Sequence, residues 1–75
     1  MRILLVEDEP TLRAQLREAL QAAAYAVDEA DNGRDAQHLG EVEAYAAVLL
    51  DLGLPQIDGL SVLRRWRAAG RTMPV

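Results

Sequence analysis

The most informative segment of the sequence is ILLVEDEP, residues 3–10 of a 75-residue chain. Its four apolar residues stand between charged ones and indicate a short strand buried on both faces. Pro10 favours the first turn of a helix, since proline at that position gives up no hydrogen bond. Glu7 and Asp8 lie between these two elements, so adjacent carboxylates are expected at the end of a buried strand.

Strand-like and helix-like segments alternate along the whole chain. A second apolar run, AVLL at 47–50, predicts another central strand, whereas the partly polar segment 26–30 predicts a strand at a sheet edge. Apolar residues at helical spacing predict three helices. These helices run from Pro10 to about Ala24, from about Arg34 to Val42, and through Leu60, Leu63 and Trp66 to a cap at Gly70. The order predicts an α/β fold with a parallel sheet and helices on both faces.

The first predicted helix is amphipathic. Leu12, Leu16 and Leu20 recur every four residues and are expected to face the sheet. Arg13 and Arg17 are expected on the solvent face. In the second helix a glycine at position 40 weakens the prediction, because glycine is a poor helix former.

The composition limits the class of protein. About half of the residues are apolar (51%) and the formal net charge is -4, which favours a folded domain over disorder. The chain has no cysteine and no apolar run near the roughly 20 residues that cross a bilayer, so a soluble cytoplasmic protein is expected. The acidic balance argues against direct nucleic-acid binding, which needs a concentrated positive surface.

A third carboxylate is expected at the same edge of the sheet as the first two. Asp51 follows the second apolar run directly, as Glu7 and Asp8 follow the first. If the strands end side by side, the repulsion among three carboxylates requires a bound proton or a cation. All-oxygen ligands suit Mg²⁺ or Mn²⁺, and a carboxylate is able to accept a phosphoryl group. Each acid alone is more often simply solvated, but the three together favour a phosphoryl-transfer site.

Three blocks of sequence carry a resemblance to a known family. LLVEDEP at 4–10, DNG at 31–33 and LLDLGLPQIDG at 49–59 resemble the corresponding blocks of response-regulator receiver domains. The chain most resembles the amino-terminal receivers of bacterial winged-helix transcriptional regulators. This resemblance implies a flavodoxin-like, doubly wound sheet with strand order 2-1-3-4-5 in a complete domain. Residues 1–75 are then expected to be its amino-terminal portion, truncated at the start of strand 4 and without an output domain.

The resemblance assigns roles to individual residues of the site. Asp51 matches the phosphoacceptor, Asp8 the carboxylate that binds Mg²⁺ directly, and Glu7 an acidic neighbour that often acts through water. Gly53 is expected to offer its backbone carbonyl to the metal. The residues that shape the loop are Pro55, Asp58 and Gly59. Of these, Asp58 is expected as a helix N-cap rather than as a metal ligand.

Some features of the family pattern differ or are missing. The family site also uses a Ser or Thr after the fourth strand and a Lys after the fifth, and this chain contains no lysine. Metal binding is therefore expected more readily than switching. Ala24 stands where a glycine often ends the first helix, so the following turn is expected to be irregular. Gly53 has no side chain at a position that tunes the lifetime of the phosphoryl group in this family.

The resemblance also implies partners. The phosphoryl donor is expected to be a sensor histidine kinase that docks on the first helix, near Arg13, Gln15 and Arg17. DNA is expected only through an output domain, and no membrane partner is expected. In a fragment truncated before strand 4, the otherwise central apolar strand at 48–50 is expected to be left as an exposed sheet edge, so self-association, as a dimer or by strand exchange, is expected too.

Two other functions stay open on the residues alone. A Mg²⁺-dependent aspartyl phosphohydrolase also has its nucleophile at a strand end, but that class needs a second Asp where Gly53 stands. A receiver-like interaction module that no longer takes phosphate is the other alternative, and the presence of Asp8 and Asp51 argues against it. The chain is expected not to be an enzyme beyond slow autophosphorylation or autodephosphorylation. His38 is expected on the surface without a catalytic role.

Overall fold

The structure is a computed structural model that describes all 75 residues. Its elements are β1 (Arg2–Val6), α1 (Pro10–Ala22), β2 (Ala26–Ala30), α2 (Gly33–Val42), β3 (Ala47–Leu50) and α3 (Gly59–Ala68). The strands are parallel and lie in the order β2-β1-β3. The predicted α/β class and doubly wound sheet are confirmed, although α1 ends at Ala22 and not near Ala24. None of the helices has the length and apolar character needed to span a membrane.

The register of the strands positions the acidic residues. Val6 of the central strand pairs with Ala30 on one side and with Leu50 on the other. Each of these three residues is followed in sequence by an acidic residue. Because parallel strands end at the same edge, those acids leave the sheet side by side.

One face of the sheet carries the hydrophobic core. Alternate residues of β1, Leu4 and Val6, pack with Val48 of β3 against α2 and α3. Trp66 of α3 is fully buried there, and its indole N–H donates to the carbonyl of Gln37 on α2 at 3.1 Å. The tryptophan is therefore a core residue.

Gly40 lies where α2 crosses the ring of Trp66. A Cβ built at this position stands only 2.2 Å from the indole nitrogen, so a larger residue displaces the ring. The glycine that weakens α2 in isolation is thus required by packing between the helices, and α2 continues through it to Val42.

Helix α1 covers the opposite face of the sheet only thinly. None of its residues is buried, and Leu12 is 41% exposed, so the expectation that this leucine packs on the sheet is wrong. Leu16 borders an open groove of about 280 Å³ together with Leu5 and Leu49. The apolar stripe of α1 therefore stays half exposed.

The two arginines of α1 are not on a free solvent face. Arg17 Nη1 lies 3.3 Å from a carboxylate oxygen of Glu29 on β2, and Arg13 Nε lies 3.5 Å from the same oxygen. Both side chains are partly buried, so the prediction of a solvated arginine face is wrong for them. Gln15 of the same helix is exposed, as expected.

Side chains join the strands at the amino-terminal end of the sheet. Asp28 of β2 accepts two hydrogen bonds from the Arg2 guanidinium, both of 2.8 Å, and a third from the Tyr45 hydroxyl at 2.7 Å. Arg2 begins β1 and Tyr45 lies just before β3. The bonds to Arg2 are the main cause that lowers the pKa of Asp28, while burial, with the bond to Asp28, raises the pKa of Tyr45.

The connections after α1 and α3 both use left-handed backbone. Ala24 has a φ of 70°, a region that costs a residue with a Cβ about 1–2 kcal/mol. Gly70 has a φ of 81° and its N–H donates to the Arg67 carbonyl at 3.1 Å, which confirms it as the predicted cap of α3. Beyond it, the carbonyl of Pro74 accepts from Val48 N–H at 2.8 Å, so the final residues touch the outer edge of β3.

Candidate metal and phosphoacceptor site

Three carboxylates converge at the carboxyl-terminal edge of the sheet. Glu7 and Asp8 follow β1, and Asp51 follows β3. One carboxylate oxygen from each residue lies within 4.8 Å of the others. The structure therefore brings together the three acids that the sequence singled out, whereas Asp31, which follows β2 at the same edge, is outside the cluster.

No positive side chain balances this cluster. The ion pairs of the chain all join arginines to acids of β2. Glu7 is only 8% exposed, and its pKa is raised chiefly by burial and further by its neighbours Asp8 and Asp51. The N–H of Glu9, 3.2 Å from Glu7 Oε2, acts in the opposite direction. A buried carboxylate beside two others holds a proton more readily than usual, or takes a cation.

Glu9 shapes the loop between β1 and α1 as the N-cap of the helix. Its carboxylate accepts from the backbone N–H groups of Leu12 at 2.6 Å and Thr11 at 3.1 Å, and these bonds lower its pKa. Glu9 is therefore occupied by the helix, which leaves Glu7 and Asp8 as the acids of this loop that are available to a ligand.

Arg13 supports the same loop from α1. Its Nη1 donates to the backbone carbonyl of Glu7 at 3.0 Å, while its Nε faces Glu29. The sequence interpretation missed this contact and assigned Arg13 to the kinase-facing surface. The signal available in the sequence was its place one turn into the helix after the acidic pair, because long side chains on a helix point back towards its amino terminus.

The loop after β3 holds Asp51 by close backbone contacts. The N–H of Gly53 donates to Asp51 Oδ1 at 3.2 Å, while the role of its carbonyl as a metal ligand stays a prediction. Gly59 N–H donates to the Leu52 carbonyl at 2.9 Å, and a Cβ built at Gly59 lies 2.2 Å from the Asp51 carbonyl oxygen. A glycine is therefore needed for α3 to begin this close to Asp51.

The other two predicted loop residues shape the loop and lie outside the acidic cluster. Pro55 accepts a hydrogen bond at 3.2 Å from the N–H of Gly33, the first residue of α2. Asp58 is the N-cap of α3, as predicted, since its carboxylate accepts from the Ser61 N–H at 2.9 Å and from the Ser61 hydroxyl at 2.8 Å. His38 is exposed on α2, which agrees with its prediction as a surface residue.

The donor set of the cluster fits a hard divalent cation. Its ligand atoms are carboxylate oxygens, without sulfur or imidazole. Mg²⁺ takes one or two carboxylates together with waters and phosphate oxygens, which suits a cluster whose member Asp8 is exposed to solvent. Mn²⁺ accepts oxygen ligands of the same kind.

Comparisons with known sequences point to one family. A family model described as the response regulator receiver domain matches residues 3–75. The virulence transcriptional regulatory protein PhoP of Salmonella typhimurium is 41% identical over all 75 residues, and the transcriptional regulatory protein PhoP of Escherichia coli is 39% identical. The match covers 34% of each of these proteins, so the chain spans about a third of their length.

Comparisons with solved structures point to the same family. The receiver domain of the sensor histidine kinase PA1611 from Pseudomonas aeruginosa, which has a magnesium ion coordinated in its active site cleft, matches with a TM-score of 0.90 and 36% identity, over 93% of this chain and 57% of that one. The response regulator TrrA from Thermotoga maritima, in complex with Mg²⁺-BeF, matches with a TM-score of 0.84 and 42% identity, over 89% of this chain and 58% of that one. From the family match over nearly its whole length and from the shared fold, this chain belongs to the response-regulator receiver family.

Proposed function

We propose that the chain is a phosphoryl acceptor in two-component signalling, with Asp51 as the acceptor. In this proposal Mg²⁺ is held by Glu7, Asp8, Asp51 and the backbone carbonyl of Gly53. The observation that supports it most directly is the convergence of the three carboxylates within 4.8 Å, without a positive side chain between them. Mn²⁺ is proposed as a substitute ion with the same oxygen ligands.

The reaction needs little from the protein beyond positioning. An oxygen of the Asp51 carboxylate attacks the phosphorus of a phosphohistidine, the P–N bond breaks, and its electron pair returns to the imidazole of the donor. The Gly53 N–H, bonded to Asp51 Oδ1, restrains the orientation of the carboxylate. A bound Mg²⁺ supplies positive charge against the phosphoryl oxygens. The product is an acyl phosphate on the protein itself, so only slow autophosphorylation and autodephosphorylation are proposed as activities.

The proposed partners follow from the relatives. TrrA has been solved in complex with the histidine kinase ThkA, so a histidine kinase is the proposed donor. On α1, Arg13 and Arg17 are bonded within the chain, which leaves the exposed Gln15 as the free member of the predicted docking residues. The PhoP relatives are transcriptional regulators, so we propose that the whole protein acts in the cytoplasm and contacts DNA through an output domain.

Copies of the chain are also proposed to associate through the β3 side of the sheet. Leu49 is 43% exposed and lines the apolar groove with Leu5 and Leu16. Light scattering is expected to show particles larger than a monomer for the wild type and a monomer for Leu49→Lys. Leu60→Lys, on α3 and similarly exposed at 44%, is the control and keeps the wild-type size. A monomeric wild type at high concentration contradicts this part of the proposal.

The acceptor role is tested by incubation with a small acyl phosphate and Mg²⁺, followed by intact-mass measurement. The wild type is expected to gain the mass of one phosphoryl group, and Asp51→Asn none, because an amide does not form an acyl phosphate. Asp31→Asn is a matched control, since Asp31 is exposed at the same sheet edge but lies outside the cluster. Equal labelling of Asp51→Asn contradicts the assignment.

Metal binding is measured separately, by calorimetric titration with Mg²⁺ in the absence of a phosphoryl donor. A wild type that binds Mg²⁺ but gains no phosphoryl mass supports the metal site and contradicts the acceptor role in this chain. A wild type that does not bind Mg²⁺ contradicts the metal site itself.

A further inference from the structure

The feature that carries a further inference is Arg13, which joins the loop of the acidic pair to the rest of the fold. Its Nη1 donates to the carbonyl oxygen of Glu7 at 3.0 Å, and its Nε lies 3.5 Å from Glu29 Oε1 on β2. The side chain of Arg13 is only 23% exposed. One guanidinium therefore connects α1, the β1–α1 loop and β2.

The bond to the Glu7 carbonyl acts on Asp8. The carbonyl of Glu7 and the N–H of Asp8 belong to one planar peptide unit, so a bond to that oxygen restrains the plane from which Asp8 extends. On the other side, Glu7 N–H donates to the Ala30 carbonyl of β2 at 3.0 Å. The backbone of Glu7 is thus anchored on both sides.

Asp8 depends on this backbone because no donor group of the chain holds its side chain. Apart from its neighbours in the acidic cluster, the carboxylate of Asp8 has no hydrogen-bond or ion-pair partner within the chain, and the residue is exposed. The peptide that Arg13 holds therefore restrains the point from which the Asp8 side chain extends towards Glu7 and Asp51.

Arg17 provides an internal comparison. It lies one turn further along α1 and its Nη1 is 3.3 Å from the same carboxylate of Glu29. It makes no contact with the backbone of the acidic loop. The two arginines share a helix, a charge and a partner, and they differ in the bond to the Glu7 carbonyl.

We propose that Arg13 is a positioning residue for divalent-cation binding, which orients the Glu7–Asp8 peptide so that Asp8 stands ready beside Glu7 and Asp51 before the ion arrives. This rests on the proposed metal site. It acts through the backbone and touches neither the ion nor the phosphoryl group.

Charge and geometry predict opposite signs for the loss of Arg13. Removal of a positive charge near an anionic site strengthens the attraction for a cation, so electrostatics alone predicts tighter Mg²⁺ binding by Arg13→Met. Loss of a residue that orients a ligand weakens metal binding, typically by about 10-fold to 100-fold. The direction of the change therefore separates the two roles.

Calorimetric titration of the chain with Mg²⁺ tests the proposal on wild type, Arg13→Met, Arg17→Met and Arg13→Lys. Arg13→Met is expected to bind Mg²⁺ about 10-fold more weakly, while Arg17→Met binds as the wild type does or slightly more tightly. Arg13→Lys keeps the charge but is too short to reach both partners, so its affinity is expected to fall as well. Because α1 has no buried residue, these substitutions leave the core intact, and circular dichroism checks the fold.

The outcomes are distinct. Equal or tighter Mg²⁺ binding by Arg13→Met overturns the positioning role while the metal site stands. Wild-type affinity in Arg13→Lys, with a loss in Arg13→Met, shows that one donor to the Glu7 carbonyl is enough and supports the positioning role, whereas a loss in Arg17→Met equal to that in Arg13→Met overturns it. A wild type without Mg²⁺ affinity contradicts the proposed metal site, and the positioning role with it.

Discussion

Carboxylates at the two ends of the sheet have opposite surroundings. At the amino-terminal end, Asp28 accepts three hydrogen bonds, two from Arg2 and one from Tyr45. At the carboxyl-terminal end, three carboxylates meet without any cationic side chain. A carboxylate that is satisfied within the chain stabilises the fold, whereas a cluster that is left unbalanced keeps its capacity for a ligand at some expense of stability. The difference separates the structural end of the sheet from the end that carries the candidate site.

The largest expected effect is on metal affinity at the unbalanced end. Asp8→Asn is expected to weaken Mg²⁺ binding at least about 10-fold, because it removes a charged ligand from the cluster. Without metal, the variant is expected to be as stable as the wild type or more stable, since one repulsive charge is gone. Calorimetric titration and thermal unfolding measure the two quantities. Unchanged affinity, or a clear loss of stability without metal, contradicts the role of Asp8 as an unbalanced ligand.

At the balanced end the expected effect is on stability alone. Tyr45→Phe removes the hydroxyl that donates to Asp28 and is expected to lower the free energy of unfolding by about 1–2 kcal/mol. Affinity for Mg²⁺ is expected to stay unchanged. Urea unfolding measures the first quantity and titration the second. Tyr25→Phe is the control, because the Tyr25 hydroxyl has no partner in the chain, and an equal loss in both variants contradicts the role of the Asp28 bond.

The contributions of the two ends to folding stability are also expected to depend on pH with opposite signs. The pKa of Asp28 is lowered, chiefly by Arg2, so its contribution to stability is present above the ordinary pKa of Asp, about 3.9, and is lost as the pH falls through the lowered value. The pKa of Glu7 is raised, chiefly by burial. Its contribution is present below the ordinary pKa of Glu, about 4.3, and is lost as the pH rises through the raised value.

Urea unfolding at a series of pH values, without Mg²⁺, measures both effects. Asp28→Asn is expected to reduce the loss of stability that the wild type shows as the pH falls below the pKa of Asp28. Glu7→Gln is expected to reduce the gain in stability that Glu7 contributes as the pH falls. The same pH profile in both variants removes the distinction between the two ends of the sheet.

The smallest expected effect also lies at the amino-terminal end, in the turn that leads into β2. Ala24→Gly is expected to stabilise the chain by about 0.5 kcal/mol, since glycine adopts a positive φ without strain but loses more entropy on folding. Ala23→Gly is the matched control, because Ala23 has an ordinary φ of -86° and gains nothing from glycine. A shift of the thermal midpoint upward for Ala24→Gly and downward for Ala23→Gly is expected. Two downward shifts contradict the strain at Ala24.

Local signals made most of the fold predictable from the sequence. The apolar runs that became β1 and β3 are short and bounded by charges, and Pro10 begins α1 where expected. The prediction that Leu12 packs on the sheet was wrong because the burial of a helical residue depends on what packs against the helix. The spacing of leucines does not reveal this. Gly40 was predicted to weaken α2 for the same reason. The position requires a glycine because the ring of Trp66, on another helix, packs against it, and the local sequence does not show this contact.

The acids of the candidate site were predictable, but their supports were not. Asp8 and Asp51 each follow an apolar run, and parallel strands bring such ends together. The contacts of Arg13 and of Asp28 join residues on different elements, and they depend on the register of the strands and on side-chain reach. For Asp28 the spacing of the sequence specifies neither quantity, and for Arg13 it indicates only that the side chain reaches back towards the start of α1.

The burial of Trp66 gives the chain an optical signal of its own. It is the single tryptophan, it is fully shielded from water, and it lies about two turns down α3 from the end nearest Asp51. An indole in apolar surroundings emits at a shorter wavelength than one in water, so opening of the contact with Gly40 shifts the fluorescence to the red. The protein therefore carries a native reporter of α2–α3 packing, and no dye or label is needed to follow its unfolding.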